Sequence, residues 1–422
     1  MSTSQQGNRL SSYISTCRRL VTFLITLLLT FSSLSSALPQ AVEGDTVKGK
    51  TIHLHDGSTY QGESILGLVP HGQGELTRTG GERYVGHFVH GKRQGEGTYW
   101  FRDGSRYAGN WEQDRPQGEG TRWYANGDHY SGQWQAGEIQ GYGTIFYAGG
   151  DAYSGLWNRG QRSGQGTYTW TGTGAYYMGG WKDNLKDGEG MMSYPDGSRY
   201  EGNWRNGRRH GQGKAMFAEN EWYEGQWYND VMHGQGTYHF KNGDVYKGDY
   251  IRGRRTGDGI YTFVSGDIYN GHMDDGVMQG DGLYSFIDGG SYDGHWVNGR
   301  FDGMGTYSAA DGGSYKGMWR AGLPHGHGRL IDAKTQHRFE GEFVHGRRMG
   351  LFNEYDEEGA FVHQIEFNDS SIVFHDPVTG VPVTEDGSIS DDEEDDGEGE
   401  GEGDYIDDGS NADVPDNGEA EN

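Results

Sequence analysis

Gly86-x4-Gly91-Lys92 has the spacing of a phosphate-binding loop, in which backbone N–H groups cradle a phosphate and a lysine meets its charge. Arg93 stands where that loop needs a Ser or Thr hydroxyl, and the residues that follow read as a strand rather than a helix. The many Gly-x-Gly pairs fail as dinucleotide fingerprints for the same reason. His71, His210, His233 and His325 recur at matching places along the chain. A zinc ion needs its ligands at about 2.0–2.1 Å, whereas matching positions two strands apart lie about 10 Å from each other. These histidines therefore read as turn residues. In the acidic run from Asp391 to Asp396, taking Gly397 as the turn of a calcium loop puts Gly403 where that loop needs Glu, and no helices flank it. Each His, Asp or Tyr that could enter a catalytic dyad has copies at equivalent positions, while a catalytic centre needs one special place. No catalytic residue, metal ligand or cofactor is expected.

The pattern left standing is basic. Lys92, Arg93, Arg159, Arg162, Arg208, Arg209, Arg254, Arg255, Arg347 and Arg348 all fall just before a Gly-x-Gly or its equivalent. Stacked along one edge, they would form a row that attracts lipid headgroups, an acidic protein segment or the chain's own acidic end.

What positions that row is a repeat. Tyr84, Tyr107, Tyr130 and Tyr153 are 23 residues apart, as are Tyr177, Tyr200, Tyr223, Tyr246, Tyr269, Tyr292 and Tyr315. Each unit runs Tyr-x-Gly-x-Trp, a loop, Gly-x-Gly and then more aromatics, as in Tyr200, Gly202, Trp204, Gly207, Gly211 and Gly213. Tyr, Gly and Trp at i, i+2 and i+4 share one face of a strand. The glycine leaves room for a ring from the neighbouring strand. Asp103-Gly104, Asn126-Gly127, Asp196-Gly197, Asn242-Gly243, Asp288-Gly289 and Asp311-Gly312 favour tight turns in which both central residues take positive φ. Each unit is therefore expected to be one hairpin, paired edge to edge with the next. Asp114, Asn184 and Asp230 replace the loop glycine, and each residue type tolerates the left-handed conformation. Composition agrees: 77 glycines and 13% aromatics, with only 32% hydrophobic residues, describe a structure of turns and rings without a thick core.

From Tyr60 to Gly350 this pattern resembles the MORN repeat. The expected fold is all-β, an elongated single-layer solenoid of about 13 stacked hairpins over residues 56–350. Residues 351–375 are expected to cap it, with Phe339 and Leu351-Phe352 marking an atypical last unit. The resemblance implies a non-enzymatic scaffold. Relatives carry a kinase, methyltransferase or membrane-anchor domain beside the repeats; nothing of that size stands outside the repeats here, so those activities are not carried over. The expected partners are another protein and an anionic membrane surface, with self-association open and nucleic acid not expected. Two rival readings are a structural protein similar to ciliary spoke-head components, and a carbohydrate-binding surface built on exposed Tyr and Trp rows.

Both ends differ from the body. Arg9, Arg18 and Arg19 precede an apolar run from Leu20 to Phe31, and Ser35 and Ala37 suit a cleavage site. That is the layout of a secretory signal peptide over residues 1–37, or of an uncleaved anchor. It places the repeats in the lumen or outside the cell, against a cytoplasmic or ciliary alternative. Residues 38–55 read as a linker. Residues 376–422 hold 19 Asp and Glu and no Lys or Arg, a composition expected to be disordered.

Overall fold

The computed structural model describes residues 46–368, 372–375 and 382–383. The stretch read as a signal peptide or anchor and nearly all of the acidic stretch read as disordered lie outside the described residues. The chain divides into two units, residues 1–163 and 164–422. Within each, the described strands form an open antiparallel sheet in which every strand pairs with the next along the chain, and no described residue is helical.

One hairpin defines the rest. Strand Arg83–Val89 pairs with Lys92–Trp100, with Tyr84 opposite Tyr99 and Gly86 opposite Gly97. The register then jumps, so that Phe88 faces Arg93 and two extra residues bulge from the second strand. The next strand, Arg106–Glu112, sets Gly109 against Gly97 and Trp111 against Gly95. In the second unit, Arg199–Arg205 and Arg208–Ala218 repeat this: Gly202 faces Gly213 and Trp204 faces Arg209.

The paired glycines exist for the tyrosine. Tyr84 lies across its own hairpin so closely that a Cβ on Gly97 would sit inside the phenol ring. The sequence suggested a ring from the neighbouring strand; this holds for Gly97, which the ring covers from the facing strand, whereas Gly86 meets the hydroxyl of the tyrosine two residues before it on its own strand. The Tyr84 hydroxyl donates to the carbonyl of His87, three residues on. The same bond joins Tyr107 to Asn110, Tyr200 to Asn203 and Tyr292 to His295, at 2.9–3.0 Å. The following unit closes the arrangement, since Trp111 Nε1 donates to the Gly97 carbonyl at 3.1 Å and Trp227 Nε1 to that of Gly213 at 3.1 Å. Tyr200 meets its own Trp204 at 5.1 Å and the next unit's Trp227 at 5.4 Å, both edge to face. Such pairs contribute about 0.5–1.5 kcal/mol each beyond their buried area. Tyr84, Tyr107, Tyr130, Tyr223 and Tyr269 are 0% exposed. Burial pushes the phenols of Tyr60, Tyr246 and Tyr315 up to about 12.

The turns exchange roles relative to expectation. In Asp103-Gly104 and its counterparts only the glycine has positive φ. Gly104 donates to Phe101, Phe101 donates to Ser105, and Asp103 Oδ1 accepts from the Ser105 N–H. A turn with a glycine bulge thus links one unit to the next. The two-residue turns with both φ positive lie inside each unit: His90-Gly91 at 49° and 82°, Gln113-Asp114 at 47° and 69°, Asn206-Gly207 at 50° and 85°. What reads as a six-residue loop is two turn residues and the start of a strand. Asp114, Asn184 and Asp230 do adopt the left-handed conformation, with φ of 69°, 70° and 71°.

The ends are modified repeats. Strand Thr46–His53, within the stretch read as a linker, pairs with Thr59–Ile65. In the last unit the ring and the glycine change strands: Phe352 takes the place of the second Gly-x-Gly glycine, and its fully buried ring covers Gly341. Strand Phe361–Phe367 then pairs with Arg347–Tyr355 and closes the aromatic row, with Phe367 edge-on to Phe352 at 5.2 Å.

Two substitutions six residues apart test the ring-on-glycine packing. A methyl at Gly143 would enter the Tyr130 ring, whereas nothing lies within 4 Å of one at Gly149. Gly143→Ala is expected to lower stability by about 1–3 kcal/mol, the usual range for overpacking, and Gly149→Ala to be near neutral. Denaturation midpoints of the two variants check this; equal midpoints would remove the packing account.

Candidate functional site

Strand alternation sorts the basic residues into two rows. Lys92 and Arg159 in the first unit, and Arg208, Arg254 and Arg347 in the second, lie at the two-residue turns of their own unit, and all are exposed. Arg93, Arg162, Arg209, Arg255 and Arg348 each follow an outward residue, directly or after one turn, and lie half-buried on the aromatic face.

The inward row is held by rings and carboxylates. Arg93 Cζ lies 4.3 Å from the Trp111 ring and 4.9 Å from Tyr99. Its Nε meets Asp114 Oδ1 at 3.1 Å, and another guanidinium nitrogen donates to the Asp114 carbonyl at 2.9 Å. Arg209 repeats the set with Trp227 at 4.4 Å and Asp230 at 3.2 Å. Arg255 sits over Phe240 and Tyr261, Arg162 over Tyr153, and Arg348 over Phe367. Burial holds the Arg348 guanidinium below its ordinary pKa, against the pull of Asp332 and Glu354. Lys186 joins this row over Trp204 at 4.4 Å, although the sequence did not single it out. A cation on an aromatic face contributes about 0.5–1 kcal/mol where exposed and more where desolvated. Arg93, Arg209, Arg255 and Lys186 thus join neighbouring repeats, Arg162 rests on a ring of its own repeat, and Arg348 rests on the closing strand, so five of the ten basic candidates are engaged in the fold.

The outward row has few partners. Lys92 Nζ donates to Gln113 at 2.7 Å, and Arg254 pairs with Asp275 at 3.1 Å in a fully solvated contact. Among the described residues no carboxylate lies within ion-pair distance of Arg208, Arg300 or Arg347. In the second unit, the residue just after each two-residue turn reads Leu185, Arg208, Val231, Arg254, Val277, Arg300, Leu323, Arg347. Aliphatic and arginine alternate through eight consecutive hairpins. The four aliphatics stay 40–47% exposed while leaning over the next turn, with Val231 Cγ1 3.4 Å from where a Cβ on Gly253 would be. Strands about 4.8 Å apart place like residues roughly 20 Å apart along the edge. The sequence showed Arg208 and Arg254 but not Arg300 or the aliphatics. Their signal was the spacing of 46 residues, two repeats, visible only when the repeats are aligned on their turns.

The histidines belong to the turns. His71 Nδ1 accepts the His90 N–H at 3.4 Å, and the rings of His325 and His345 lie 5.7 Å apart. Desolvation, then the neighbouring His90 and His87, hold the His71 imidazole below its ordinary pKa. At the same place in other units Gln94, Gln117 and Gln140 cap the next turn. The Tyr and Trp that recur in the Tyr-x-Gly-x-Trp pattern are buried against each other, for example Trp204 at 6% and Tyr200 at 2% exposed. Other rings of the repeats stay open to solvent, among them Tyr142, Tyr194 and Tyr228.

A family model of the MORN repeat matches twelve segments that fill residues 84–172, 177–220, 223–334 and 339–351. No curated protein matches the chain. Among solved structures, the TCP domain of SAS-4 from Drosophila melanogaster, in complex with a proline-rich motif of Ana2, is 16% identical, with 37% of this chain and 85% of that one covered and a TM-score of 0.25. The TCP10 domain of CPAP from Danio rerio is 10% identical, with 58% and 98% covered and a TM-score of 0.26. Likenesses at that level carry no argument about this chain.

Proposed function

The chain belongs to the MORN-repeat family, and from that premise we propose that it is a non-enzymatic scaffold whose turn edge engages an anionic partner, foremost an acidic protein segment. One observation carries this reading: the second unit spaces exposed outward arginines about two repeats apart with exposed aliphatics between them, and only Arg254 of the four has an ion-pair partner among the described residues, Asp275. Each exposed charge contact contributes only about 0.2–1 kcal/mol, so an array of them is what gives binding. The aliphatics add apolar area between the charges. An anionic membrane surface offers the same two features and is the alternative.

The test uses the full-length chain with labelled polyglutamate and with vesicles with and without acidic lipid. Arg208, Arg254, Arg300 and Arg347 are changed to Ser together. The variant is expected to keep its denaturation midpoint and lose most polyglutamate binding, and binding by the unmodified chain is expected to fall steeply with salt, because exposed charges are screened within about 10 Å at 0.1 M. The inward pair Arg209→Ser and Arg255→Ser is expected to do the reverse, lowering the midpoint. Unchanged binding after loss of all four outward arginines contradicts the edge. Binding to acidic vesicles but not to polyglutamate replaces the protein partner with a membrane.

For the compartment, we propose the secretory route on the strength of residues 1–37. Deleting residues 20–31 is expected to leave a C-terminally tagged chain in the cytosol. Identical locations with and without the deletion would return the chain to a cytoplasmic or ciliary setting.

A further inference from the structure

The edge of the second unit and the acidic end of the same chain are complementary in both charge and pattern. The edge presents Arg208, Arg254, Arg300 and Arg347 with Val231, Val277 and Leu323 between them. Residues 391–408 hold twelve carboxylates and no base. Within them Glu398, Glu400 and Glu402 alternate with glycine, a spacing that in an extended strand would turn all three carboxylates to one side. Tyr405-Ile406 follows, an aromatic and an aliphatic bracketed by Asp404 and Asp407.

The described part of the chain also points that end at that edge. Phe367 closes its strand opposite Gly350, three residues from Arg347, and Arg348 rests on its ring at 4.3 Å. Strand Ile372–His375 starts from that side, with Ile372 opposite Phe367 and His375 opposite Gln364. Pro382–Val383 runs antiparallel to it and so returns toward the same edge. Asp391 lies eight residues further on, within about 26–29 Å of chain. Fully extended, residues 391–408 would be on the order of 60 Å long, the length of about six repeats at two strands each. Arg347 back to Arg208 is six repeats.

We propose that the acidic segment around residues 391–408 is an intramolecular occupant of the alternating arginine and aliphatic edge, and that it competes there with the external anionic partner. The inference rests on the edge reading above and adds an autoinhibitory ligand to it. Tethering puts the segment at an effective concentration in the millimolar range. A segment that binds in isolation only at about 0.1 mM would then weaken any competitor about tenfold. The carboxylates face the arginines, and Tyr405 and Ile406 add apolar contact with the aliphatics.

The experiment keeps the full chain. In one form every Asp and Glu of residues 391–408 is changed to Asn or Gln, which alters nothing in the sheet. Two probes are titrated by fluorescence anisotropy: a labelled synthetic peptide with the sequence of residues 391–408, and labelled polyglutamate. Both probes are expected to bind the neutralised chain about tenfold more tightly than the unmodified chain, with the difference gone at high salt. Adding Arg254→Ser, Arg300→Ser and Arg347→Ser to the neutralised chain is expected to abolish peptide binding, near-UV dichroism showing the sheet intact. A peptide with Tyr405→Ser and Ile406→Ser is expected to bind no better than polyglutamate. Equal binding of polyglutamate by the two chains overturns the inference and leaves the edge standing. So does a peptide that fails to bind the neutralised chain when polyglutamate binds. Polyglutamate binding to neither chain overturns the edge and the inference together. Should the arginine variant lose its dichroism, the comparison of neutralised and unmodified chains decides alone.

Discussion

A tyrosine ring lying across two paired glycines is the contact on which the rest of this protein depends. It explains why so thin a sheet can bury its rings completely. Tyr200 occupies the space that side chains on Gly202 and Gly213 would need, and its hydroxyl donates to the Asn203 carbonyl. Trp204 and Trp227 then close over it from its own unit and the next. Both glycines are needed by sterics, since a Cβ at either would meet the ring or the opposite backbone. A fold made this way spends its glycine and aromatic content on one local contact repeated along the chain. Among the described residues the rings form a thin layer, and the turns present an extended edge in each unit.

The same geometry decides what the basic residues can do. The residue opposite the Trp position turns in and the one before it turns out, so adjacent arginines have different jobs. Arg209 reaches Trp227 and Asp230 and belongs to the joint between repeats. Arg208 beside it is solvated. Where the inward residue is Met232, Met278 or Phe301, apolar packing does the joining instead. The outward row stands outside that joint, and in the second unit it varies with a period of about two repeats. Nothing in the hairpin itself requires that period.

Much of this was legible in the chain. The spacing of Tyr84, Tyr107 and Tyr130 fixed the repeat, and alternation within Tyr-x-Gly-x-Trp fixed the strand. The left-handed Asp114, Asn184 and Asp230 could be read from residue type. The turns were less legible, because Asp103-Gly104 suits two geometries: a two-residue turn, or a longer turn ending in a glycine bulge. Turns such as Gln113-Asp114 and Arg159-Gly160, whose first residues are less suited to positive φ, were the tight ones, held there by pairing on both sides. That the ring also meets the glycine of its own strand escaped, since the pattern assigned that space to a ring from the neighbouring strand. The basic row was found as composition, but its division into joints and free charges depends on the register jump after Gly86, which no residue type announces.

Hydrogen exchange on Tyr200→Leu tests the central contact most directly. Leucine keeps the side chain apolar but removes the ring and its bond to Asn203. If each tyrosine is the joint between neighbours, amides in strands Leu185–Ser193, Arg199–Arg205, Arg208–Ala218 and Glu221–Tyr228 should lose protection, while those in Ser291–Val297 and Arg300–Ser308 keep it. Protection unchanged in the strands on either side of Tyr200, or lost evenly along all of them, would contradict the account.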